Sequence, residues 1–211
     1  MVTLDQHEYA KALKPMTHSD LKLNAESALS SECHSLFLSL LGALAYLSLT
    51  RIDVIVFIAA LQRYNHAPKV IHAKRLNSVV RWVQRNLIDL KYCHFDSKDN
   101  IIFGISDAAF KKEEEEATAM RGCVVIRTSS QSLHMLADCS EARLRESPCH
   151  ILEFASKKQR HVTRSTFAAE LFGATDTADT MLVVVLALHE VETGTITIEQ
   201  ARRLREYGPY C

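Results

Sequence analysis

The hydrophobic period of this chain changes near residue 90, and that change limits the folds open to it. Upstream, apolar residues recur at helical intervals; downstream come short β-like runs, and helical spacing returns from Thr166. The stretch LFLSLLGALAYLSL (36–49) is strongly apolar but shorter than the ~20 residues a membrane-spanning helix needs. Arg51 and Asp53 then interrupt it before VIVFIAAL. Two buried helices are expected there, and no membrane partner. TRID (50–53) reads as a capping motif, a hydroxyl followed three residues later by an acid, for a helix over 51–64. NHAP (65–68) is a break. A helix over 69–85 follows, with Val70, Ala73, Val80 and Val83 near one side and Lys74, Arg81 and Arg85 on another.

Downstream, strands are expected over 101–106, 123–128 and 151–156. The first lies in IIFGISDAAF and stops on Asp107, a costly place for a carboxylate unless something compensates it. KKEEEEA (111–117) reads as a solvated loop, and 129–150 is ambiguous, with room for a short helix. From Thr166, Phe167, Leu171, Ala174, Ala178, Leu182, Val185 and His189 recur at helical spacing. MLVVVLAL is apolar on several faces, so this helix is expected to pack deeply, with His189 at its boundary. Gly194-Thr195 ends it. Thr197 and Gln200 form a capping-box pattern for a last helix over 198–207, closed by Gly208-Pro209. The class is α/β: a helical region over 1–90, then a domain over 91–211 with a mixed sheet and packed helices.

With 211 residues, zero formal net charge and a pI of about 7.1, there is no global signal for nucleic acid. Such binding has to come from local patches, the Lys74, Arg81, Arg85 face or the Lys157-Lys158 pair. The 6 cysteines show no CxxC spacing, and the Cys-His neighbours at 33–34, 93–94 and 149–150 do not suit one shared metal. Reduced thiols in an intracellular protein, cytoplasmic or nuclear, are expected, and no zinc site. The N-terminus has no apolar core of a signal peptide.

Glu170 follows RSTFAA, in the expected first turn of the helix beginning near Thr166. A helix crossing the sheet would bring it toward Asp107. Two carboxylates so placed repel unless one is protonated or a cation bridges them. Magnesium, with its preference for oxygen ligands, suits such a pair.

Several of these segments, in order, resemble copia-type LTR retrotransposon polyproteins. LLGALAYLSLTRID (40–53) resembles the segment that follows the family's reverse transcriptase core, and AALQRY…P…HAKRLNSVVRWV continues it. LDQHEYAKAL (4–13) resembles a stretch near the end of the polymerase. GISDAAF resembles the serine-aspartate-alanine-aspartate-tryptophan strand, and FASKKQRHVTRSTFAAELFGATD (154–176) the serine-lysine-lysine-glutamine and glutamate-alanine-glutamate block. The resemblance implies an RNase H-like domain that cuts the RNA strand of RNA–DNA hybrids with Mg²⁺, or Mn²⁺. Asp107 and Glu170 would be metal-binding catalytic carboxylates, with Ser156, Lys157, Lys158 and Gln159 near the path of the hybrid.

This chain departs from that pattern at Ala109, Phe110 and Ala168, which replace an aspartate, a tryptophan and a glutamate. No residue after Glu170 matches the family's later metal-binding aspartate, and the polymerase palm is not matched. The expectation is a truncated RNase H-like fragment with weak or absent nuclease activity and no polymerase activity. The alternative is a non-catalytic nucleic-acid-binding or scaffold fragment.

Overall fold

The computed structural model describes residues 1–94, 100–109, 119–130, 149–159, 165–194 and 197–207. The acidic run 111–117, Phe110, most of the ambiguous 129–150 stretch and Gly208-Pro209 lie outside the described residues. The chain divides into two compact units, residues 2–91 and residues 92–211 together with Met1.

The first unit is built on helices, with one short two-stranded pairing of β1 (Val2–Leu4) and β2 (Leu90–Tyr92). Helix α1 (His7–Ala12) leads to a 3₁₀ turn, Ser19–Lys22, and then to α2 (Ser31–Leu47). Ser30 caps α2 by accepting from the Cys33 amide. Cys33, Phe37, Leu41, Leu44 and Leu47 form one buried stripe along α2 at helical spacing. They pack with Ile58 and Leu61 of α3 (Ile55–Gln62) and with Ala73, Leu76, Val80 and Val83 of α4 (Val70–Arg85). Two apolar helices in place of one span is therefore how 36–62 folds. At the start of α4, His72 completes a capping box, its Nδ1 accepting from the Lys69 amide at 2.9 Å. Asn77, buried in α4, accepts from the Met16 amide at 2.7 Å and donates to its carbonyl at 2.9 Å.

TRID does not cap a helix. Thr50 Oγ1 donates to Gln6 Oε1 at 2.8 Å, and Asp53 is taken by Arg51, whose Nε and Nη2 donate to its two carboxylate oxygens at 2.8 and 2.7 Å. Arg51 is buried, and a buried guanidinium demands its counter-ion more strongly than an exposed helix end demands a cap. The expected 51–64 helix is accordingly a 3₁₀ turn, Ile52–Val54, followed by the shorter α3.

The second unit is a three-stranded sheet with a long helix on one face. The strands are β3 (Asn100–Ala109), β4 (Met120–Ser129) and β5 (Cys149–Lys158), in the order β3-β4-β5. The three expected strand windows all fall inside them. Both pairings are antiparallel, with one register shift between Val125 and Ile126. A mixed sheet needs a parallel neighbour, and none pairs with β3 among the described residues. β3 is thus an edge.

Helix α5 (Thr166–Thr193) lies across β3 and β4. Ser165 caps it through the Ala168 amide even though Ala168 removes the acidic partner of a capping box. Gly194, at φ 87°, ends it in a conformation glycine adopts without strain. Helix α6 (Ile198–Tyr207) follows, opened by the expected reciprocal bonds of Thr197 and Gln200, 2.8 and 3.2 Å.

Deep packing of α5 is not what the fold does. Only Ala169, Gly173 and Thr177, one residue per turn, are buried on it, while Phe167, Leu171, Val183 and Val191 are exposed. A three-stranded sheet offers one face to one stripe of the helix, which leaves much of its apolar surface exposed. By length and composition alone α5 is also long and apolar enough to cross a membrane. Here it is tied to the sheet by two ion pairs, Arg121 with Asp176 and Arg127 with Glu192, the latter at 3.3 Å.

The close approach of α5 depends on Gly104. A Cβ there would stand 2.5 Å from Met181 Sδ and 2.6 Å from Thr177 Cγ2. Met181 can swing aside, but Thr177 is β-branched and stiff. Gly104→Val is expected to destabilise the second unit by about 1–3 kcal/mol through overpacking. Chemical denaturation followed by circular dichroism checks this, with Gly122→Ala, where a Cβ has only one neighbour at 4.0 Å, as the mild control.

Candidate functional site

The carboxyl ends of β3 and β5 carry most of the residues singled out in the sequence, and the register decides which face each one takes. Asp107 pairs with Gly122, which pairs with Ser156; directly opposed residues share a face. Ala108 stands one residue on and faces α5, since a Cβ on Gly173 would lie 3.8 Å from its own. Alternation therefore turns Asp107 and Ser156 away from α5. Asp107 is exposed and Ser156 half-buried. Lys158, opposite Met120, shares their face, whereas Lys157, opposite Arg121, lies on the helix side. Both lysines are exposed.

Glu170 rides on α5, half-buried. The helix begins at Thr166, so Glu170 is its fifth residue and not in the first turn, where the free amides are. The fold thus gathers Asp107, Ser156 and Lys158 on one face, while Glu170 rides on the helix that packs on the other. Among the described residues neither carboxylate makes an ion pair or hydrogen bond.

Gln159 is a tie within the fold. It is 3% exposed, its amide N–H accepted by Ala119 O at 2.8 Å and its Nε2 donating to Ala169 O at 2.6 Å. It fastens the end of β5 to the start of α5 beside the buried alanines 108, 119 and 169. Its side-chain Oε1 is buried without a partner. Burial keeps this side chain from a passing nucleic acid strand. The sequence also left Arg121 and Arg127 unmarked; only their place in an alternating strand, on the face the helix covers, could have suggested their ion pairs.

In the first unit, Lys74 and Arg81 line one open groove with Lys22, His18 and Ser78. Lys74, Arg81 and Arg85 are exposed on α4, and Arg85 lies a turn beyond the groove. Among the described residues, Lys22, Lys74, Arg81 and Arg85 make no ion pair, so the face keeps its positive charge. An uncompensated cluster of this kind attracts polyanions through release of their counter-ions.

Over 179 residues the chain is 29% identical to the uncharacterized mitochondrial protein AtMg00810 of Arabidopsis thaliana, a match covering 79% of this chain. The chain spans 65% of that relative's length. No protein-family model matches it. No solved structure matches it either.

Proposed function

We propose that this chain is a retrotransposon-derived fragment that binds nucleic acid without cutting it efficiently. The ordered series of copia-like motifs supports the origin, as does the likeness to the Arabidopsis mitochondrial protein. The observation that carries the binding reading is the set of cations on and beside α4, Lys22, Lys74, Arg81 and Arg85, left without acidic partners among the described residues. Lys158 and Ser156, on the open face of the sheet beside Asp107, offer a second polar contact. The ancestral reaction, metal-dependent cleavage of RNA in an RNA–DNA hybrid, needs carboxylates gathered around Mg²⁺ or Mn²⁺. With no residue after Glu170 matching the family's later metal-binding aspartate, cleavage is expected to be weak or absent.

The test is fluorescence anisotropy with labelled RNA–DNA hybrid, DNA duplex and single-stranded RNA over a salt series. Binding should weaken steeply with salt, and Lys74→Glu with Arg81→Glu should cut affinity by at least about tenfold while flattening the salt slope. Salt-independent binding, or none, removes the reading. The same hybrid incubated with Mg²⁺ or Mn²⁺ reads cleavage; robust cutting lost in Asp107→Asn would restore the nuclease.

A further inference from the structure

The first unit holds a cluster that the sequence pattern passed over. His18, Asp20 and Cys33 each offer one ligand atom, and all three atoms lie within 4.8 Å of one another. His18 and Asp20 come from the start of the 3₁₀ turn Ser19–Lys22, and Cys33 from the first turn of α2. Cys33 is fully buried, and the side chains of His18 and Asp20 are 16% and 13% exposed. The ligand atoms are held by their surroundings. Asp20 Oδ2 accepts from the Ser30 amide at 2.8 Å, which leaves Oδ1 turned to His18 Nδ1 at 3.2 Å. On the other side of the imidazole, His18 Nε2 faces Glu32 Oε2 at 3.8 Å.

We infer that His18, Asp20 and Cys33 form a zinc site. A thiolate, an imidazole and a carboxylate are the donors zinc takes, whereas magnesium and calcium take oxygen alone. The charges close: one thiolate and one carboxylate balance the dication, so the buried site carries no net charge. Bonds of about 2.0–2.3 Å in a tetrahedron put ligand atoms roughly 3.3–3.7 Å apart, a contraction of about 1.5 Å at most from the present spacing. The Asp20 amide donates to Nδ1 at 3.2 Å, so the ring proton lies on Nε2 and Nδ1 carries the lone pair that coordinates. Binding displaces the Cys33 thiol proton to solvent and frees Nδ1 from the Asp20 amide, which it accepts at 3.2 Å. Water fills the fourth position. The expectation against zinc came from pairing each cysteine with its neighbouring histidine. His34 is in fact turned elsewhere, its Nε2 2.6 Å from Asn65 O, and Cys33 meets His18 instead.

The experiment is a Co²⁺ titration of the full chain, read by the thiolate-to-cobalt charge-transfer band, followed by displacement with Zn²⁺. One equivalent of cobalt should raise the band and zinc should abolish it. Cys33→Ser should lose the band. His18→Gln and Asp20→Asn should weaken cobalt binding at least about tenfold while leaving Trp82 fluorescence and helix content unchanged. Asp20→Asn keeps an acceptor for the Ser30 amide, so a loss in that variant reports the ligand and not the turn. No band at saturating cobalt, or a band unchanged in Cys33→Ser, overturns the site. Should Cys33→Ser fail to fold, unchanged affinity in both other variants overturns it equally. None of these readouts depends on nucleic acid.

Discussion

Asp53→Ala is expected to destabilise the first unit by about 3–5 kcal/mol, because it strands a guanidinium already out of water. Arg51 is 3% exposed, and its remaining bond, Nη1 to Val83 O at 3.3 Å, is too long to hold the charge alone. Asp53 also accepts from Trp82 Nε1 at 3.0 Å. Burial pushes the Asp53 carboxyl up, but its hydrogen bonds to Arg51 and Trp82 and the Arg51 charge outweigh that and hold it below the usual carboxylate range. The sign follows: with a depressed folded pKa, the pair's contribution is full above about pH 4 and is lost as pH falls through the folded value. Trp82 is the single tryptophan, so its fluorescence in a urea titration reads this unit directly. Replacing both partners, Arg51→Met with Asp53→Leu, should recover most of the loss, since no charge is left buried. A single variant as stable as the parent would show that Arg51 finds water in solution.

Phe37→Ala should cost a similar amount, about 3–5 kcal/mol, for a different reason. Phe37 is fully buried in the middle of the α2 stripe, with Cys33 and Leu41 one turn to either side and the α3 and α4 side chains closing over it. Truncation removes the ring from the core and leaves a cavity that three helices cannot collapse without losing their own contacts. Phe37→Leu, which keeps most of the volume, should cost clearly less. The urea midpoint read by Trp82 fluorescence, at unchanged slope, distinguishes lost stability from a changed denatured state. A loss under about 1 kcal/mol in Phe37→Ala would mean that the core closes around the gap.

Both predictions concern residues whose importance was only half legible in the sequence. That 36–49 forms a buried helix was legible in its apolar run, though the stripe through Phe37 was not; the buried face of α4 and the breaks at NHAP and Gly194 were legible as well. The three strands were legible too, because short apolar runs bounded by polar segments have few other ways to bury themselves. The Arg51–Asp53 pair was not: read locally, TRID is a helix cap, and only the burial of Arg51 against Val83 of α4 reassigns Asp53. α5 failed in the opposite direction. Its apolar sides predict a core helix, but a sheet of three strands buries one stripe of small residues and no more.

The candidate site divides along the same line. The residue types and order around Asp107, Lys157-Lys158 and Glu170 are set by sequence. Which of them meet is a matter of pleat and register. A single step along β3 separates Asp107, on the open face, from Ala108, under α5. His18, Asp20 and Cys33 lie up to fifteen residues apart with no motif spacing among them, and only the turn at Ser19–Lys22, folded against the start of α2, brings them within reach. The sequence by itself determined the elements, the helical first half and the strand-rich second, because local period and punctuation act within a turn or a strand. The tertiary structure alone decided which charges are buried, which face each carboxylate takes and which thiol meets which histidine, because those depend on contacts between segments remote in the chain.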